Sequence, residues 1–144
     1  MKFNNKIILK ILESYKPIWA LGYMHALAHW DLETYMPRAS AGMRGEALAK
    51  IAGMIQQLSL DKSFVDLIMS AENEMLNDYE QAVLRILRKD LKIYQKLPAD
   101  FLEEYHRHTS ESQMAWRKAR EANNFSMFEP MLAQTVKMTR QKAD

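Results

Sequence analysis

The chain has 144 residues, 48% hydrophobic and 26% charged, a balance that is ordinary for one globular domain. A formal net charge of +2 is too small to argue for nucleic acid or a membrane as a partner, and we expect neither. The chain has no cysteine, which excludes disulfides and thiolate metal sites and, with no recognisable secretory leader, favours a cytoplasmic location.

The sequence pattern predicts helices and no strands. No segment sustains a polar–apolar alternation, no Asn-Gly or Asp-Gly hairpin signal occurs, and only four glycines and four prolines interrupt the chain. We therefore expect an all-α fold of six or seven helices in a single domain over residues 1–144. Short loops should make most helices antiparallel neighbours.

Three helices are predicted in the N-terminal part of the chain. The first runs from about Asn4 to Tyr15 and is ended or kinked by Pro17. The second, from about Pro17 to Glu33, is apolar nearly all round, which predicts a central, buried helix. The third runs from about Ala41 to Leu58 after a turn.

Capping residues mark the next two predicted helices. Asp61 is the expected N-cap of a fourth helix, whose apolar face reaches Met75. Asp78 with Gln81 three residues later has the pattern of a capping box, which opens a fifth helix that ends near Gln95.

Two further helices complete the predicted fold. Pro98 suits the first position of a sixth helix, which ends near Ala122. Ser126 with Glu129 has the pattern of a second capping box, which opens a last helix that continues to about Lys142.

The segment from Trp30 to Pro37 is the most informative of the chain. It has the pattern Trp-Asp-x-x-Thr-Tyr-Met-Pro, formed by Trp30, Asp31, Thr34, Tyr35, Met36 and Pro37. Other distinctive segments are Tyr15–Gly22, Leu76–Glu80, Thr109–Glu111, Ala115–Arg120 with its Trp116, and Asn123–Pro130. In this order, from about Lys10 to Pro130, they resemble the N-terminal region of the carboxypeptidase Taq family of zinc metallocarboxypeptidases.

The resemblance implies a fold similar to the N-terminal helical part of that family. The family binds zinc on a downstream His-Glu-x-x-His helix, a motif this sequence does not contain. We therefore expect no catalytic residue and no cofactor in this chain. The resemblance implies a fragment or truncated paralogue of an enzyme that removes C-terminal amino acids from peptides, inactive on its own. Its partner would be the missing catalytic half or a second copy in a homodimer. The alternative is a stand-alone helical module for protein interaction or oligomerisation.

His25 and His29 are the only candidates for metal ligands. They lie four residues apart, as the two histidines of a zinc helix do. The glutamate that follows the first histidine in such helices is absent, and two histidines alone make an incomplete site. Glu33 would extend the same face, but the helix is expected to end near Tyr35. We therefore expect both histidines to line a packed interface.

Other polar residues have structural interpretations that outweigh catalytic ones. Asp31 and Glu33 are two residues apart and should diverge on a helix, so we expect Asp31 to fix the turn after Trp30 through a hydrogen bond or ion pair. His106 and His108 also diverge, and His108 should be hydrogen-bonded in the core. A basic stripe on the fifth helix is expected to be a solvated face and not a phosphate-binding one: Arg85, Arg88, Lys89, Lys92 and Lys96.

Overall fold

The computed structural model describes residues 3–143, apart from the side chain of Arg38, and over that range the chain forms six α-helices and no strand. The helices are α1 Lys6–Glu33, α2 Ala41–Ser59, α3 Lys62–Ser70, α4 Asp78–Lys96, α5 Ala99–Glu121 and α6 Glu129–Ala143. Single 3₁₀ turns occupy Arg38–Ser40, Ala71–Asn73 and Phe125–Met127. The predicted all-α fold of six or seven helices is confirmed. None of these helices is both long and apolar enough to cross a membrane.

The described chain divides into two compact units, each assembled from separate stretches of sequence. Unit 1 takes its residues from the stretch up to Met24 and from Met54–Pro98. Unit 2 takes them from His25–Gly53 and from Ala99 onward. Helices α1 and α2 therefore contribute residues to both units. The single domain expected over residues 1–144 stays a prediction.

Unit 1 is organised around one apolar core. Its buried members are Ile8, Ile11, Ile18, Phe64, Ile68, Ala71, Leu84, Leu87 and Leu91. The periodicity of α4 predicts Val83, Ile86, Leu87 and Tyr94 as inward residues. Leu87 is buried and Val83 and Tyr94 are partly buried, but Ile86 is 56% exposed, and Leu84 and Leu91 are buried although they are not predicted. The buried face of α4 is thus rotated by about one residue from the predicted one.

Pro17 lies inside α1, and the prediction that it separates or kinks two helices gives the wrong boundaries. The segments expected as Asn4–Tyr15 and Pro17–Glu33 form one helix of 28 residues. An interior proline removes a backbone hydrogen bond and costs about 3 kcal/mol. Ile11 and Ile18 are buried on either side of it, and two buried isoleucines contribute about 3–6 kcal/mol, which offsets that cost.

The prediction that residues 17–33 form a central, buried helix is wrong. Ile18 and Leu32 are buried, but large apolar side chains on another face of α1 are exposed. These exposed residues, which we call the α1 apolar stripe, are Trp19 (62%), Tyr23 (60%), Met24 (53%), Leu27 (47%) and Trp30 (55%). Within residues 3–143, the chain supplies packing partners for one face of this helix and leaves the stripe uncovered.

The N-cap of α3 is the residue predicted from the local sequence, whereas the N-cap of α4 is determined by contacts distant in sequence. Asp61 caps α3 as predicted, by accepting hydrogen bonds from two backbone N–H groups. Helix α4 is capped by Asn77 with Glu80, one residue earlier than the expected pair of Asp78 and Gln81. Glu80 is 2% exposed and also accepts from the backbone of residues 4 and 5, so this carboxylate is fixed by contacts distant in sequence.

Two other predicted features are wrong. Helix α3 ends at Ser70 and passes into a 3₁₀ turn, so Met75 lies outside the helix and is 96% exposed. Ser126 lies within a 3₁₀ turn, where its hydroxyl donates to the Asn124 side chain over 2.7 Å, and it does not form a capping box with Glu129. Asn124 competes successfully because its side-chain oxygen also accepts from the backbone N–H of Ser126.

Candidate functional site

The end of α1, which carries the Trp-Asp-x-x-Thr-Tyr-Met-Pro pattern, is held by an arginine from α2. Arg44 donates to the Ala28 carbonyl over 3.2 Å and forms an ion pair of 2.8 Å with Asp31. The Asp31 carbonyl accepts backbone hydrogen bonds from residues 34, 35 and 36, which closes the helix. The expected ion pair of the Asp31 side chain is present, while the hydrogen bonds that close the turn are accepted by its backbone carbonyl.

A second arginine, from α5, holds the same helix end. Arg117 donates to the Leu32 carbonyl over 3.1 Å and to Glu33 over 2.6 Å, and Gln113 also donates to Glu33. Arg117 satisfies the Leu32 carbonyl, one of the last four of the helix, which lack helical partners, and both arginines place positive charge near the helix C-terminus. Because Asp31 and Glu33 engage different arginines, they diverge as predicted and do not form an acid–base pair.

The other residues of the pattern support the turn or stay exposed. Thr34 donates its hydroxyl to the Trp30 carbonyl over 2.8 Å. The rings of Trp30 and Tyr35 meet edge to face with centroids 5.6 Å apart, although both side chains are more than half exposed. Met36 is partly buried, whereas Pro37 is exposed beyond the helix end.

Trp116, the family-like tryptophan of α5, is 46% exposed and lies 6.0 Å from the guanidinium of Arg120.

His25 and His29 do not pair with each other, although their spacing of four residues suggests that they could. His25 packs against His106 of α5, with ring centroids 5.9 Å apart, while His29 is exposed. Burial, and then the charge of His29, lowers the pKa of His25. Burial, followed by the charges of His25 and Lys142, lowers the pKa of His106. Near neutral pH the pair is therefore uncharged.

His108 is hydrogen-bonded, as predicted, and points away from this pair. Its Nε2 lies 3.0 Å from the Thr135 hydroxyl and 3.2 Å from the Met131 carbonyl of α6. Among residues 3–143 no group of three or more His, Cys, Asp or Glu side chains is placed to hold a metal ion. The stripe of His25, His29 and Glu33 is thus not assembled, because Arg117 engages Glu33.

Unit 2 contains a broad groove of about 1260 Å³ along α2 and α5. Small residues allow the close approach of the two helices: a Cβ added at Gly45 would lie 3.2 Å from the Cβ of Ser110. The charged residues that line the groove are Glu46, Lys50, Glu103, Arg107, Glu111, Arg117, Lys118 and Glu121. Acids and bases are equal in number there, so the groove favours neither sign of ligand.

Unit 1 contains a smaller, aromatic pocket of about 330 Å³. Its aromatic residues are Tyr15, Trp19, Tyr23, Phe64 and Tyr94, and its one charged residue is Asp90. Sequence reasoning missed this pocket, and it missed Arg44 and Arg117 as well. The available signal was the recurrence of aromatic residues at positions 15, 19 and 23 beside Gly22, on one face of a helix.

The basic stripe of α4 is exposed along its length, and Arg88 pairs with Glu72 over 3.0 Å.

Comparison with known proteins agrees with the resemblance in the sequence. The family model of the carboxypeptidase Taq (M32) metallopeptidases matches residues 10–144. Thermostable carboxypeptidase 1 of Pyrococcus furiosus is 33% identical over 143 residues, which are 99% of this chain and 29% of that enzyme. Carboxypeptidase 1 of Bacillus subtilis is 25% identical over 118 residues, or 80% of this chain and 23% of the relative.

Solved structures show the same fold. The Pyrococcus furiosus carboxypeptidase superposes with a TM-score of 0.80 over 99% of this chain and 29% of that one. The BsuCP crystal structure, at 21% identity, superposes with a TM-score of 0.87 over 96% of this chain and 28% of that one. The chain thus spans less than a third of the length of these relatives. It belongs to the carboxypeptidase Taq (M32) metallopeptidase family.

Proposed function

We propose that this chain acts as the helical, non-catalytic part of a zinc-dependent carboxypeptidase that removes C-terminal amino acids from peptides in the cytoplasm. The observation that carries the proposal is the family match over residues 10–144, in a chain that covers 29% of the Pyrococcus furiosus carboxypeptidase. Hydrolysis would then require residues from the rest of such an enzyme, in the same or another polypeptide.

The described residues of this chain do not fit the family's zinc. A catalytic zinc site takes three protein ligands and keeps an open position for water. His25 and His29 offer two ligands, the His106 ring meets His25 edge-on, and Glu33 is held by Arg117. No third ligand lies beside the two histidines within residues 3–143. We therefore assign no hydrolytic step to these residues.

The proposed partner is the remainder of a family enzyme, which would cover the α1 apolar stripe. Five large apolar side chains on one helix face are each between 47% and 62% exposed. Several large exposed apolar side chains along one helix are typical of a protein-binding surface. The two arginines at the end of α1 support this role, because they fix the helix that carries the stripe.

The second candidate is a stand-alone interaction module that pairs with a copy of itself through the same stripe. The exposure of the stripe supports this candidate equally well. The two candidates differ in what the stripe contacts, and a measurement of mass in solution distinguishes them.

The first test is hydrolysis of an N-blocked dipeptide by the purified chain, with and without added zinc or cobalt. We expect no turnover above buffer in either condition. Adding a polypeptide that contains the rest of the Pyrococcus furiosus relative should restore metal-dependent turnover. Metal-dependent turnover by this chain alone, lost in a His25→Ala/His29→Ala variant, would overturn the proposal.

A matched pair of variants tests the role of the stripe. Leu27→Asp places a charge on the α1 apolar stripe, at a residue that is 47% exposed. Ile86→Asp places the same charge outside the stripe, on α4, at a residue that is 56% exposed. We expect Leu27→Asp to abolish restoration of activity and Ile86→Asp to preserve it. A dimer by light scattering that Leu27→Asp converts to a monomer, without any restoration of activity by the added polypeptide, would favour the stand-alone module.

A further inference from the structure

We propose that the aromatic pocket of unit 1 binds an organic cation of the alkylammonium class, with a quaternary ammonium group preferred. This inference involves no peptidase chemistry. Because Trp19 and Tyr23 belong both to the pocket lining and to the α1 apolar stripe, the inference concerns the chain whose stripe is uncovered, and it is tested on that chain alone.

The pocket exists because a glycine interrupts an aromatic face of α1. Tyr15, Trp19 and Tyr23 recur every four residues, and Gly22 lies between the last two positions on the same side of the helix. A Cβ added at Gly22 would meet no atom within 4 Å. The missing side chain therefore leaves open space, as part of a cavity of about 330 Å³.

Aromatic rings form the walls of this space. Tyr15 and Phe64 are stacked with centroids 6.3 Å apart, and Trp19 and Tyr23 lie 6.0 Å apart with their planes inclined by 30°. Tyr94 of α4 adds a fifth ring. The face of an aromatic ring carries partial negative charge and attracts a cation within about 6 Å of its centre. Because several rings line one cavity, each of them attracts a cation that binds there.

Asp90 supplies the only formal charge of the pocket lining, and it is negative. Within residues 3–143 no hydrogen bond or ion pair engages its carboxylate. Its charge nevertheless reaches the rings: burial, and then Asp90, raises the pKa of both Tyr15 and Tyr94. The two phenols therefore remain neutral at physiological pH. A bound cation would offset the carboxylate's charge, so the pocket is complementary to a positive ligand.

The floor of the pocket selects among cations. Ile18, Leu87 and Leu91 line it and are each at most 7% exposed, so a bound group loses water there. A primary ammonium is a strongly hydrated point charge, whereas the methyl groups of a quaternary ammonium tolerate apolar contact. The volume is at the low end for small-molecule sites, and it suits a trimethylammonium group but not a whole peptide.

The first experiment compares choline with 3,3-dimethyl-1-butanol, which has the same shape and no charge. Binding is followed by NMR through the indole N–H resonances of the full chain. We expect choline to shift the Trp19 resonance with an affinity of about 1 mM, and the neutral analogue to bind at least about fivefold more weakly. Equal or tighter binding of the neutral analogue would overturn the proposal, because the pocket would then recognise shape alone.

Substitutions at the pocket provide the second test. Trp19→Ala and Asp90→Asn should each weaken choline binding about fivefold, and Gly22→Leu should abolish it by filling the cavity. These three positions lie at the surface or face open space, and leucine favours a helix over glycine, so the variants should fold. Trp116→Ala and Asp66→Asn change exposed residues outside the pocket and should leave binding unchanged. Unaltered choline binding by Gly22→Leu would place the ligand elsewhere and refute the assignment.

A third ligand identifies the source of the cation. A short peptide with one trimethyllysine presents the same group on a protein side chain. If it binds more tightly than choline, the physiological ligand is a modified protein; if choline binds more tightly, the ligand is a free small cation. Failure of both to bind the unaltered chain would refute the proposal.

Discussion

The two units differ in what stabilises them. Unit 1 is centred on apolar side chains, and Ile8, Ile11 and Ile68 within it are fully buried. Unit 2 has buried apolar residues such as Leu32, Leu48 and Met138, but charged and polar side chains join its helices. The joining contacts include Arg44 with Asp31, Arg117 with Glu33, Lys50 with Glu103, and His108 with Thr135.

Because of this difference, the stabilities of the two units should respond differently to pH and to salt. Burial of apolar surface depends little on pH and is not weakened by moderate salt. Ion pairs at partly exposed sites are screened by salt, and histidine pairs respond to pH. The stability of unit 1 should therefore depend less on salt than that of unit 2. In unit 1 the response to pH should come in acid, where protonation of Glu80, whose pKa is lowered by backbone hydrogen bonds from Asn5, Asn77 and Asn4, removes stability, whereas unit 2 should respond where its histidines titrate.

The largest expected effect comes from removing core volume in unit 1. Ile68 is fully buried, so Ile68→Ala should lower the free energy of unfolding by about 2–5 kcal/mol. Hydrogen exchange should show the loss of protection first in residues 54–98. Ile86→Ala, at a residue 56% exposed, is the control and should cost far less. Equal losses in the two variants would mean that the core is not centred on α3 and α4.

A smaller effect is expected from the arginine that holds the end of α1 in unit 2. Two different guanidinium nitrogens of Arg117 donate to Glu33 and to the Leu32 carbonyl, and lysine has a single nitrogen, so Arg117→Lys should cost about 1 kcal/mol at low salt. Urea unfolding in low and high salt measures this cost, which should shrink as salt rises. Lys62→Ala removes a solvent-exposed pair with Asp66 within α3 and is the control, which should cost far less than Arg117→Lys. A salt-independent cost at position 117 would contradict an ionic role.

The smallest effect concerns pH and the pair of His25 and His106. Both pKa values are held below the ordinary value of 6.5, so the unfolded chain binds more protons as pH falls. Stability is fully present above about pH 6.5 and is lost as pH falls below it. The groups that face the pair are His29 of α1, Tyr105 of α5 and Lys142 of α6.

His25→Gln tests this account. Removing the charge of His25 should raise the pKa of His106, although burial and Lys142 should keep it below the ordinary value. NMR titration of the His106 ring measures the change, and unfolding at pH 5 should show a smaller loss of stability. His29→Gln is the control and should leave the pKa of His106 unaltered. If both variants shift it equally, the contact between His25 and His106 is not the cause.

Helix existence and the positions that cap by local hydrogen bonds could be predicted from the sequence. Asp61 is an example, because its side chain needs only the next turn of backbone to act. Asn77 with Glu80 could not be chosen over Asp78 with Gln81, because contacts with residues 4 and 5 decide between them. The position of Pro17 inside α1 could not be predicted for the same reason. The free-energy cost of an interior proline is local, whereas the burial of Ile11 and Ile18 that offsets it depends on tertiary contacts.

The candidate site also has some features that could be predicted from the sequence and others that could not. The divergence of Asp31 and Glu33 follows from helical geometry, and it could be predicted from their spacing. The arginines that engage them lie on other helices, and single arginines carry no distinguishing signal in the sequence. Exposure of the α1 apolar stripe was also beyond prediction, because an apolar face predicts burial without naming the partner that covers it.

The discontinuous make-up of unit 1 sets an order of events during synthesis. The Glu80 carboxylate accepts hydrogen bonds from the backbone N–H groups of Asn4 and Asn5, which the ribosome makes about 75 residues earlier. Ile8 and Ile11 likewise wait for α3 and α4 before they can be buried. Until then the start of the chain is an apolar segment without its partners, and such segments aggregate or recruit chaperones. Residues 4 and 5 complete these contacts only after the intervening stretch that belongs to unit 2 has been made.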